Sequence, residues 1–186
     1  MGLRYDKIVV IDLEAQCWRG NPPKGYSKDI IEIGIATVDL YALKAERGEG
    51  ILVRPDKCQI SPFCTKLTSI TQEMIDEDGV PLERACRRVM EKYSGRKRVW
   101  GSWGNYDRTA LSSECHKKNL KYPLSKTHWN IKSIVVPFLG WDREFGLDNA
   151  LKEMELEFEG THHRGADDAY NTAIILAETL RRRQNK

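Results

Sequence analysis

Residues 7 to 12, KIVVID, are a run of β-branched apolar positions closing on an acid, the pattern of a buried strand. Two further apolar segments, DIIEIGIATVDL (29 to 40) and EGILVRP (49 to 55), have the same Ile and Val content. Short polar connections join all three and argue that they pair. The first connection, NPPKGYS, reads as a loop from its Pro and Gly. The pattern then changes period. TSITQEMIDEDG predicts a short helix capped by Ser69 or Thr71 and stopped by Gly79. PLERACRRVMEKYSG predicts a longer one, with Leu82, Ala85, Val89 and Tyr93 on one face. KRVWGSW and THWNI read as short strands, and a helix beginning near Asn105 lies between them. KSIVVPFLG follows the second, then a helix around LDNALKEME, the loop GTHHRG, and a helical end, ADDAYNTAIILAETLRRR. Its basic residues complement the carbonyl end of the helix dipole. Three strands followed by alternating helix and strand predict an α/β domain, a mixed sheet with helices on both faces.

The length of 186 residues makes one domain the default, spanning 1–186, with a core of about 5–182 and a basic tail at 181–186. A formal charge of +3 permits an anionic partner without demanding one. The start, MGLRYDKIVV, has neither a secretory core nor a myristoylation pattern, because Asp6 sits where Ser or Thr is needed. The longest apolar runs, such as IVVPFLGW, fall far short of a bilayer span, so no membrane partner is expected. The five cysteines lack a disulfide spacing and read as free thiols of a cytoplasmic protein. Zinc on Cys58, Cys64 and the pair Cys115-His116 is conceivable, but no CxxC spacing supports it.

Side chains alternate along a strand, so Asp12 and Glu14 at the end of the first strand share a face. At roughly 4 Å and an effective dielectric near 20, two such charges repel by about 4 kcal/mol. Solvent, protons or cations must relieve that. In WGSWGNYDRTAL, a strand runs into a turn and Asp107 falls in the first turn of the next helix. In GTHHRGADDAYNTA, His162 and His163 precede a helix start bearing Asp167 and Asp168. Each feature alone also fits a bland role: a solvated edge, an acid complementing a helix N-terminus, a cap, a surface histidine. Taken together, they place Asp12, Glu14, Asp107 and Asp168 where they can converge at one edge of the sheet. Hard oxygen ligands select Mg²⁺ or Mn²⁺ over zinc. Two such ions, about 3.5–4 Å apart, clamp the attacking and leaving oxygens of a phosphodiester displacement. A nearby imidazole can take the proton of the attacking water. The step from His162 to Asp167 equals that from His163 to Asp168, so spacing alone does not choose the base.

The order D-x-E, then Y-D after a Trp-Gly-containing strand, then H-x-x-x-x-D resembles the DEDDh exonucleases of the RNase T and proofreading-exonuclease superfamily. SPFCTKLTSITQEMID, WGSWGNYDR and FEGTHHRGADDAYNTA are similar to the ERI-type, histone-mRNA 3′-exonuclease branch and its bacterial homologues. The similarity runs from about residue 5 to 182. It implies a ribonuclease H-like fold, with a mixed five-stranded sheet flanked by helices, and a cofactor of two Mg²⁺ (or Mn²⁺). It further implies that Asp12 bridges both ions and that Glu14 and Asp168 complete the site of the ion that activates water. Asp107 then supports the second ion, and His163 is the general base, because the family pairs the second histidine with the second aspartate. Main chain around Leu13 and Ala15 is implied to meet the terminal ribose, and Tyr106 with Phe63 or Leu67 the last base. Core packing is the competing role for Phe63 and Leu67. The ERI-type proteins of animals add a SAP-like nucleic-acid-binding module, and this chain is expected to be the catalytic domain alone.

The basic runs GRKR (95 to 98) and LRRRQNK (180 to 186) read as solvated faces and helix ends, the tail adding phosphate contacts if it lies near the cleft. The five tryptophans read as packing, and Asp142, Glu144 and Asp148 as surface. The resulting expectation is a 3′–5′ exonuclease on single-stranded RNA or DNA 3′ ends, RNA foremost, releasing mononucleotides. The alternatives are a non-catalytic nucleic-acid-binding module of the same fold and a small-oligonucleotide hydrolase.

Overall fold

A computed structural model describes residues 2–56 and 59–184. Strands β1 (Arg4–Ala15), β2 (Ile30–Asp39), β3 (Lys44–Leu52), β4 (Arg98–Ser102) and β5 (His128–Asn130) form one sheet in the order β3-β2-β1-β4-β5. The β1–β2 and β2–β3 pairs are antiparallel, whereas β1–β4 and β4–β5 are parallel, so the sheet is mixed. Helices are α1 (Pro62–Thr68), α2 (Gln72–Asp78), α3 (Leu82–Lys92), α4 (Tyr106–Lys117), α5 (Ile131–Leu139), α6 (Leu147–Glu153) and α7 (Gly165–Gln184).

Alternation along β1 sorts its side chains between two cores. Val9, Ile11 and Leu13 pack with Leu82, Ala85 and Val89 of α3 and Leu111 of α4. Ile8 and Val10 pack on the other face with Ile131, Leu151, Ala169 and Leu176 of α5 to α7. Asp12 and Glu14 continue the second set, so both point toward the α7 face at the end of β1.

Asp12 lies opposite Gly34 in the β1–β2 register, and a Cβ on Gly34 would stand only 1.8 Å from the Gly165 carbonyl carbon. The bare backbone of Gly34 therefore lets the first turn of α7 dock directly beside Asp12.

Several boundaries differ from the sequence expectation. β1 extends beyond 7–12 at both ends: pairing with β2 continues to Ala15, and Arg4 pairs with Arg98 of β4. β3 starts at Lys44, ahead of the expected 49–55, as an edge strand buried chiefly at Ala45, Ile51 and Leu52. Helix α1 was not anticipated. Ser61 caps it by accepting from Cys64 N at 3.0 Å, and Pro62 occupies its first position. Of the two expected caps for α2, Thr71 holds the position, while Ser69 terminates α1 with a left-handed φ of 61°.

Trp100 is fully buried, and Trp103, Trp129 and Trp141 pack partly buried against the second core. The described residues of the basic runs lie away from the end of β1, and residues 185–186 of the tail lie outside the described residues. Arg98 pairs with Asp6 at 2.7 Å near the start of β1. Arg181 sits about 20 Å along α7 from Asp168, at about 1.5 Å per residue, with its Nε on the Leu43 carbonyl at 3.1 Å. Cys64 and Cys115 belong to separate core clusters, so they do not share an ion, and Cys58 lies outside the described residues. No described helix is long and apolar enough to cross a membrane.

Candidate active site

Three carboxylates, Asp12 and Glu14 from β1 and Asp168 from the first turn of α7, bring one oxygen each to within 4.8 Å of one another. Asp168 Oδ2 is buried and has no hydrogen-bond partner. A buried carboxylate oxygen without a partner is costly, and three carboxylates brought this close fit a hard divalent cation. Asp107 reaches the same place from the opposite face, on the first turn of α4. Its Oδ1 accepts the Leu13 N–H at 2.9 Å, and its carboxyl is 5% exposed. Asp107 thus adjoins Asp12 without joining the close group of three, a refinement of the four-acid convergence read from the sequence.

The acids sit in one another's field. Burial first, then the charges of Asp107, Asp168, Glu14 and Glu32, push Asp12 well above the carboxylate range. Burial, Asp168 and Glu32 push Glu14 up to about 8. Burial pushes Asp168 up to about 7 against the opposing effect of the His163 backbone, and Asp107 up to about 6 against that of the Leu13 amide. A carboxyl raised in this way keeps its proton in the folded state after the unfolded chain has released it. Stability of the metal-free protein is then full below the unfolded values near about 4 and falls as pH rises through the folded ones. The Tm of EDTA-treated protein is expected to fall between pH 5 and about 8. Mg²⁺ or Mn²⁺ should restore it, most strongly at the alkaline end, because the ions compete with protons. Differential scanning fluorimetry across pH checks both effects.

His162 and His163 separate clearly. His162 Nδ1 lies 3.0 Å from Asp148, and its ring stacks on Phe158 at a centroid distance of 3.7 Å. Asp148, expected as plain surface, is therefore a tether for this loop. Asp167 is also occupied: it accepts the Thr161 N–H at 2.9 Å and pairs with Arg47. His163 is exposed, holds a left-handed φ of 59°, and lines a cavity of about 340 Å³ with Asp168, Asn149 and Lys152. Of the two equal spacings, only the one ending on Asp168 leads into the acid cluster.

The three side chains expected to meet the base are each exposed. Phe63 and Leu67, one turn apart on α1, are 37% and 39% exposed, and Tyr106 is 56% exposed. Their exposure removes core packing as the role of Phe63 and Leu67. Burial, then the charges of Asp107 and Glu14, raise the Tyr106 hydroxyl. The Leu13 amide is committed to Asp107, and the Ala15 carbonyl accepts the Cys64 thiol at 3.7 Å.

A profile of the RNase T family, described as exonuclease, matches residues 9–176. The chain belongs to the RNase T exonuclease family. Human 3′-5′ exoribonuclease 1 is 32% identical over 185 residues, covering 95% of this chain and 53% of that protein. The 3′-5′ exonuclease Snipper of Drosophila melanogaster is 27% identical over 199 residues, covering 95% and 70%. This exonuclease-family chain spans about half the length of the exoribonuclease 1 relatives it matches, 53%. Among solved structures, the nuclease domain of 3′hExo, a DEDDh family member bound to rAMP, aligns with a TM-score of 0.85 at 29% identity. That alignment covers 97% of this chain and 94% of the other. The sheet and its flanking helices are the ribonuclease H-like exonuclease fold.

The sequence reading missed Glu32, Arg164 and Gly34. Glu32 is 0% exposed and binds Arg164 and the Gly165 amide. A charged residue inside the apolar run IIEIGI was the available signal.

Proposed function

We propose that this chain is a metal-dependent 3′–5′ exonuclease that trims single-stranded ends, RNA in preference to DNA, and releases 5′-mononucleotides. The observation that carries this reading is the trio Asp12, Glu14 and Asp168 within 4.8 Å, with a buried Asp168 oxygen left unpartnered. Family membership and the exoribonuclease relatives support the substrate class. The three carboxylates would hold two divalent ions, Mg²⁺ or Mn²⁺, with Asp107 alongside. Such ions, when bound, lower the pKa of a water and offset charge on the phosphoryl oxygens.

The chain's own groups do the rest. His163, on its exposed turn, takes the proton of the attacking water. Tyr106, Phe63 and Leu67 offer the terminal base an apolar surface near the acids. Stacking on an aromatic is worth about 1–3 kcal/mol per base and tolerates any base. Asp107, held by the Leu13 amide, fixes the end of β1 so that Asp12 keeps its direction.

The test uses matched RNA and DNA oligonucleotides labelled at the 5′ or the 3′ end, with Mn²⁺ or EDTA. The expected result is a ladder shortening from the 3′ end, early release of the 3′ label as a mononucleotide, faster RNA than DNA, and no reaction in EDTA. Binding without shortening would instead mark a non-catalytic module. Rates highest on dinucleotides would mark a small-oligonucleotide hydrolase.

A further inference from the structure

Glu32 stands on β2 directly across from Glu14 in the β1–β2 register, yet its two oxygens are fully engaged. Oε2 accepts the Gly165 N–H at 2.8 Å and Arg164 Nε at 3.4 Å, while Oε1 accepts Arg164 Nη2 at 3.2 Å. Each oxygen is thus already committed to the start of α7, and Glu32 lies outside the close group of three acids. Packing does not call for it either. A buried ion pair is often no better for stability than apolar groups of the same volume. The neighbouring strand even makes room for this carboxylate, since a Cβ on Gly50 would stand 2.1 Å from Glu32 Oε1.

What the carboxylate does hold is the segment between His163 and Asp168. Thr161 is tied to Asp167, His162 to Asp148, and Arg164 and Gly165 to Glu32. Thr161, His162, Arg164 and Gly165 are thus each pinned through their own amide or side chain, and the His163 backbone meets the Asp168 carboxylate. His163 keeps a φ of 59°, a left-handed conformation that a non-glycine residue holds where its surroundings impose it. Asp168 follows in the first turn of the helix whose start Glu32 grips.

We propose that Glu32 is a positioning residue: through Arg164 and the Gly165 amide it sets both the His163 turn and the Asp168 carboxylate over Asp12 and Glu14. This rests on the roles given above to His163 and Asp168.

Steady-state kinetics and Mn²⁺ titration calorimetry on Glu32→Ala, Glu32→Gln, Arg164→Ala and Arg164→Lys test it. A misplacement of about 1 Å can cost 10²-fold in rate. Loss of a group that orients ligands costs about 10–100-fold in metal affinity. Arg164→Ala and Glu32→Ala are therefore expected to lose about 10²-fold in kcat and about tenfold in Mn²⁺ affinity, with oligonucleotide KM within about twofold. Glu32→Gln keeps an acceptor for the Gly165 amide and should recover part of both losses, as should Arg164→Lys. Because Arg164 is half-buried, its variants decide the matter even if Glu32→Ala does not fold. Wild-type kcat and wild-type Mn²⁺ affinity in Arg164→Ala and Glu32→Gln, whatever the Tm, would overturn the proposal. A wild-type chain that binds Mn²⁺ but hydrolyses nothing would sink only the exonuclease reading, and the Mn²⁺ affinities would still judge the clamp.

Discussion

Asp12→Asn is expected to abolish metal-dependent trimming while making the metal-free protein more heat-stable. Asp12 stands at the centre of the acid group, where Asp107, Asp168, Glu14 and Glu32 all act on it. Replacing its carboxyl with an amide removes the oxygen ligand that can ionise and meet a cation at the centre of the group. Bound ions supply several kcal/mol of charge stabilisation to a phosphoryl transfer. At 1.36 kcal/mol per factor of ten, the loss amounts to about 10³-fold or more in kcat/KM. The same change removes the carboxyl whose ionisation burial and its acidic neighbours oppose, so the Tm in EDTA near pH 8 should rise above wild type. Function is held here at a cost in stability, as is common where like charges are gathered for catalysis. Single-turnover cleavage in Mn²⁺ and thermal unfolding in EDTA measure the two effects on one preparation. Trimming within tenfold of wild type would show that the acids are not a cation site.

The period-2 pattern made the essential geometry legible. It placed Asp12 and Glu14 on one face, and the structure sets them there with Asp168, because α7 covers that face. The helix start at Thr71 was likewise readable, since its side chain caps α2 locally, whereas Asn105 opens α4 without a side-chain cap bond. What escaped was whatever depends on distant partners. Helix α1 is short and contains Pro, Cys and two Thr, so its propensity is weak. Its packing of Cys64 and Thr68 under the β1 end stabilises it, and only the Ser-Pro cap marks it in sequence. Edge strand β3 reads as polar because one of its faces is open to solvent, apart from the ion pairs made by Glu46 and Glu49. The exposure of Phe63 and Leu67 follows from how α1 is laid against the sheet, which no local pattern encodes. Glu32 was visible as an anomaly in an apolar strand, but its meaning needed Arg164, which arrives 132 positions later.

His163→Ala should lower kcat by about 10²–10⁴-fold, the range for loss of a general acid–base group, whereas His162→Ala should cost less than about tenfold. Four histidines exist in the chain, and their surroundings rank them. His116 sits in the last turn of α4, at the opposite end from Asp107. His128 is half-buried beside Arg108 and shares a 2.9 Å hydrogen bond with Ser102; burial, then the Arg108 charge, pushes it down to about 4. His162 spends Nδ1 on Asp148 and its ring face on Phe158. His162 and His163 both line the cavity that carries Asp168, and of the two it is His163 whose ring is not spent on Asp148 and Phe158. Losing His162 releases one tether of the turn while Thr161, Arg164 and Gly165 remain held, so the base should stay roughly in place. Added imidazole should restore part of the His163→Ala rate, because the side chain leaves a space that opens to solvent, and should do nothing for Asp12→Asn. Comparing kcat for the two histidine variants, with and without imidazole, checks the assignment. A collapse in His162→Ala with near wild-type turnover in His163→Ala would transfer the base to the Asp148–His162 pair.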